Sequence, residues 1–107
     1  MRLDYSIGLV RAELYFRGAR TLKDRRSHLR SLRDRLENMG FSVAQTGPPD
    51  IVSRTWLVAV TASGSRSMVG RNLDRARELL DQPVWELVFL SLDIMGDGET
   101  LPEWETS

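Results

Sequence analysis

The sequence predicts an α+β domain in which four antiparallel strands form one sheet and two helices cover one of its faces. Two observations carry this. Extended apolar stretches occur four times and helical apolar stripes twice, in the order strand, helix, strand, strand, helix, strand. The chain has 107 residues, which is room for one core, and no repeat or linker divides it.

Residues 6–16 alternate, with Gly8, Val10, Ala12, Leu14 and Phe16 on one parity and Ile7, Leu9, Arg11, Glu13 and Tyr15 on the other. This is the pattern of a strand dry on one face and half dry on the other. Gly18 ends it. The Thr21 hydroxyl can cap the free N–H groups of a first helix, and Asp24 stands at the capping-box position three residues on. Leu22, Leu29, Leu32, Leu36 and Met39 recur at threes, fours and sevens, and Gly40 follows where a left-handed residue stops a helix, so that helix is expected over 22–39. A short second strand is expected over 41–46. Gly47-Pro48-Pro49-Asp50 cannot supply a ladder of donors and reads as a turn. The third strand is expected over 54–62, with Trp56, Val58 and Val60 on its more apolar side. Ser63-Gly64-Ser65 leads into a second helix striped by Val69, Leu73, Ala76 and Leu80, which Asp81-Gln82-Pro83 ends. Residues 85–95 form a fourth strand, apolar on both parities.

The order βαββαβ suggests the split-βαβ, ferredoxin-like arrangement, with strands in the order 4-1-3-2 and both helices on one face. Right-handed crossovers follow from the twist of the strands. Residues 1–95 then make the single domain, and 96–107 make an acidic tail rich in turn residues and loosely held.

Zero net charge hides a polarised chain. Residues 1–40 hold ten Lys and Arg against five Asp and Glu, whereas 81–107 hold seven acids and no base. Such asymmetry points to an anionic partner for the basic part. With no cysteine there can be no disulfide, thiolate metal site or thiol nucleophile. The first residues carry charges within their apolar run and read neither as a signal peptide nor as a membrane span, so a cytoplasmic location without membrane contact is expected.

Residues 17–26, RGARTLKDRR, join the first strand to the first helix. They resemble the G-A-R-S-L-K-[ED]-K-R segment of the bacterial YlxP-like family of unknown function. The likeness extends to about Ile94 through SVAQTG and the Asp50 to Arg54 spacing. Two departures stand out: Val52-Ser53 replaces an aromatic-Gln pair, and Gln45 stands where an acid is common. The resemblance implies a ferredoxin-like fold. It also suggests a role around RNA, because members are often encoded near translation and ribosome-maturation genes.

Lys23, Arg26, Arg30 and Arg33 fall on one face of the predicted helix, and Arg17, Gly18 and Arg20 lie in the loop that leads to it. Charged forks at that pitch can contact successive phosphates, with the N–H groups of the helix start beside them. The competing reading is a solvated face whose arginines pair with Asp24, Asp34 and Glu37. The helix itself carries no interleaved aromatic on which a base could stack. Arg25 falls inside the leucine stripe, where its stem can follow the core edge to water or its head can enter a subunit interface. His28 is the only histidine; with no second ligand or nucleophile at hand it reads as a surface residue.

An acylphosphatase-like site would need an arginine after the first strand and an asparagine on a neighbouring one. The only asparagines, Asn38 and Asn72, fall on predicted helices. Dinucleotide and P-loop motifs are missing. No catalytic residue, metal or cofactor is therefore expected. Two functions remain: a non-catalytic module binding RNA or a ribonucleoprotein through the basic helix and its loop, or a homo-oligomeric scaffold assembling through its open sheet face. For the second, Val88, Leu90 and Leu92 are expected to face the helices, leaving Trp85, Leu87 and Phe89 to join Ile7, Leu9, Tyr15 and Leu57 on the uncovered side. That patch would be larger than monomers usually expose, unless the tail with Trp104 folds over it.

Overall fold

Strand β1 (Ser6–Tyr15), helix α1 (Leu22–Asn38), strands β2 (Ser42–Thr46) and β3 (Arg54–Ser63), helix α2 (Arg66–Leu80) and strand β4 (Glu86–Gly96) follow one another along the chain. The computed structural model describes residues 4–18 and 20–96, without the Asp24 side chain. The Asp24 carboxylate expected in a capping box and the acidic tail from residue 97, with Trp104, lie outside the described residues. The four strands form one antiparallel sheet in the order β2-β3-β1-β4, the expected order counted from the other edge.

Both helices lie on the face to which Val10, Ala12 and Leu14 of β1 point, with Phe16 just beyond it, and there they bury Leu29, Leu32 and Leu36 of α1 and Val69, Leu73, Ala76 and Leu80 of α2. Helix α1 stops as its sequence predicts. Gly40 takes φ +96°, the Gly40 N–H donates to Glu37 O, and the Phe41 N–H donates to Leu36 O at 3.0 Å. These two bonds make a Schellman motif, and its accompanying apolar contact brings Phe41 and Leu36 into the core. Helix α2 starts on Ser65, whose hydroxyl accepts from the Met68 N–H at 3.2 Å.

Four placements correct the sequence reading. In β3 the register Ala12 to Leu57 and Leu14 to Thr55 turns Thr55, Leu57 and Ala59 toward the helices, so Trp56, Val58 and Val60 point to the open face. Both parities of this strand carry apolar side chains, and only pairing with β1 decides which is covered. Leu57 thus belongs to the core and not to the open face.

In β4 a bulge intervenes. Glu13 pairs with Phe89 and Leu14 with Leu87, which leaves Val88 as an extra residue. Parity switches across it. Leu87 before the bulge, and Leu90, Leu92 and Ile94 after it, all pack against the core, whereas Val88 is 45% exposed and Phe89 51%. Leu87 is therefore on the helix side and Val88 is not. Trp85 also packs inward. Its ring meets Phe16 at 5.8 Å, and its indole N–H donates to Leu80 O at 2.8 Å, satisfying a carbonyl at the end of α2.

The open face that remains is less apolar than expected. Across its middle, Arg54 pairs with the Glu13 carboxylate, which also accepts from the Trp56 indole N–H at 2.8 Å. Arg11 donates to Ser91 Oγ at 3.0 Å and lies 3.6 Å from Asp93. Ile7, Leu9 and Tyr15 are half-buried around these pairs, and the more exposed apolar side chains away from the helices are Phe89, Val88 and Val60, the last 39% exposed.

Candidate nucleic-acid interface

Helix α1 has two very different long faces. The inner one carries the leucines. The outer one carries Lys23, Arg26, Arg30 and Arg33, all exposed. Arg33 lies 3.9 Å from Glu37 one turn on. No ion pair among the described residues engages Lys23, Arg26 or Arg30, so the expected pairing with Asp34 does not form. These three side chains, with Asp34 and Arg35, border a shallow groove of about 720 Å³. Arg26, Arg30 and Arg33 reach the other flank of the helix as well, where they frame a groove of about 200 Å³ with Gln45 and Leu57.

At its start α1 meets the end of β1. Arg17, Gly18 and Lys23 line one open cleft of about 570 Å³ there, with Ser27 and His28. Gly18 takes φ +75°, the left-handed conformation that turns the chain off the strand. Arg17 lies 3.3 Å from Glu86, with both side chains largely in water, so the pair leaves the guanidinium available to a stronger anion. Arg20 is exposed and engaged in contacts of its own. The structure thus brings together Arg17, Gly18 and Lys23 at one end and Lys23, Arg26 and Arg30 along the helix, with Lys23 common to both.

Arg25 serves neither purpose foreseen for it. Only 3% exposed, it turns away from water and from any subunit surface toward the loop before β3. Its Nη1 donates to Ile51 O and, at 2.9 Å, to Arg54 O, and its Nη2 donates to Pro49 O at 3.0 Å. A buried cation is stabilised here by carbonyl dipoles in place of a carboxylate.

His28 is more than a surface residue. Its ring stacks on Phe16 with centroids 6.1 Å apart and planes inclined by 20°. Asn38 ends α1 and Asn72 lies within α2, so neither stands on a strand beside the β1 loop. Among the described residues no three His, Cys, Asp or Glu side chains group as metal ligands, and no helix is long and apolar enough to cross a membrane.

The model of one family, described as "Protein of unknown function (DUF503)", matches residues 7–93. The chain belongs to the DUF503 family. The DUF503 match runs from the second residue of β1 into β4, and so takes in most of the sheet, both helices and the basic loop. Comparison with curated proteins returned no match.

Proposed function

We propose that this DUF503 protein is a non-catalytic module that binds RNA, alone or in a ribonucleoprotein, through the outer face of α1 and the loop before it. One observation carries the reading: Lys23, Arg26 and Arg30 stand exposed on one helix face, outside any ion pair among the described residues, and that face runs into the cleft holding Arg17. A purely solvating charged face is normally interlaced with acids. Here Asp34 borders the same groove without pairing with Lys23, Arg26 or Arg30, and seven of the fifteen acids lie in residues 81–107. The suggested kinship with the YlxP-like proteins, encoded near translation genes, points the same way.

The test is retention of labelled, mixed-sequence single-stranded RNA over a salt series. Affinity should fall with salt at a slope of about −0.7 per contacted phosphate. Replacing Lys23, Arg26 and Arg30 with glutamate should abolish retention at moderate salt and flatten the slope by about two, with the urea melt unchanged. Equal binding by the triple variant would remove α1 from the site.

A second reading, self-association through the open sheet face, is favoured by exposed Phe89 and Val60. The Arg54–Glu13 and Arg11–Asp93 pairs divide that face and restrict the apolar contact it can offer.

A further inference from the structure

We infer that His28 is a stacking platform for one unpaired nucleotide, whose phosphate is held by Lys23 and Arg17. The inference rests on the RNA reading of α1 and adds to it an aromatic surface beside the cations.

The ring is built as a platform. His28 is exposed, yet one of its faces is backed by Phe16, itself 2% exposed. Phe16 is in turn wedged against Trp85 at 5.8 Å. Three rings, from α1, the residue after β1 and the approach to β4, therefore form one cluster in which Phe16 is buried, Trp85 half-buried and His28 exposed. A base stacked there would meet a surface already fixed by the core, with little side-chain freedom left to lose. Histidine is among the side chains on which splayed-out RNA bases stack.

The chemistry beside the ring fits the rest of a nucleotide. The cleft under His28, about 570 Å³, is lined by Arg17, Lys23 and Ser27, which are two cations and a hydroxyl. That volume lies within the range of ordinary small-ligand sites. A second notch that His28 also lines, of about 150 Å³, carries Ser31, Arg35 and Gln82, donors and acceptors able to meet the edge of a base. Duplex bases stack on one another and are not available for this, so the ligand is single-stranded.

The arrangement also separates two contributions to binding. Lys23, Arg26 and Arg30 supply salt-dependent attraction to the phosphate chain, whereas His28 supplies salt-independent stacking. The experiment uses the full chain and a mixed-sequence single-stranded RNA bearing one 2-aminopurine, whose fluorescence is quenched when it stacks. Wild type should quench it. His28→Ala should lose the quenching and about tenfold in affinity, with the salt slope unchanged. His28→Phe should keep both, which excludes a general loss of fold. RNA that binds wild type and His28→Ala alike, with equal quenching, overturns the platform and leaves the α1 reading standing. RNA that fails to bind wild type at low salt overturns both.

Discussion

Arg25 occupies a position at which the α1 stripe would otherwise place another apolar residue, and its guanidinium is the only buried charged group among the described residues. Three carbonyls from residues 49–54 converge on it, while its Nε has no partner among the described residues. The planar fork of arginine reaches several acceptors at once, which an ammonium on a flexible stem does not. Replacing Arg25 with methionine keeps the apolar stem but leaves those carbonyls without a donor, so a urea melt should show a loss of about 2–4 kcal/mol. Arg25→Lys should recover only part of it. A loss of a few tenths would mean that water replaces the fork freely. The anomaly was legible in the sequence, since a charge on an apolar stripe is conspicuous. Its partner was not, because the carbonyls lie 24 to 29 positions further along the chain and backbone atoms carry no residue-type signal. Gly47 is a similar case. Its turn was foreseen from the two prolines, but the Trp56 ring, which a Cβ there would meet at 2.6 Å, comes from a different strand.

At the level of elements, the ends of strands and helices followed from local chemistry, while the faces of β3 and β4 did not. Periodicity gives the alternation of a strand but not which alternate is covered, and a strand apolar on both parities leaves that to its neighbours. In β4 the single residue Val88 reverses the assignment midway, so Leu87 and Leu90 share a face despite their odd spacing. That reversal makes a specific prediction. Deleting Val88 removes the unpaired residue and should let Leu87 and Phe89 keep their partners Leu14 and Glu13. Deleting Ser91 should instead shift the strand by one and turn either Leu92 and Ile94 or Leu87 and Leu90 out of the core. The urea midpoint of the first variant should therefore stay close to wild type and that of the second fall sharply; equal falls would show that the bend at the bulge, and not the register, is what matters.

Across the whole molecule, the outer surface of α1 and the open side of the sheet lie on opposite sides of the core, since both helices cover the other sheet face. Phe89→Lys should accordingly weaken any self-association seen by sedimentation without altering RNA retention, and the α1 triple charge reversal should do the opposite. One variant that moved both readouts would tie the two surfaces together. The proposed site was only half legible: the cations could be read off the helix, whereas the ring cluster needed residues 16, 28 and 85 to be brought together by the fold. The same sheet has a further consequence. Ser6 and Gly96 are ladder partners, so the two ends of the ladder's outer rungs lie side by side, ten strand residues or about 30 Å from the end of β1 where the cleft opens. A tether, a reporter or a solid support attached next to either residue would approach the protein from the far pole and leave the basic end facing away from the surface.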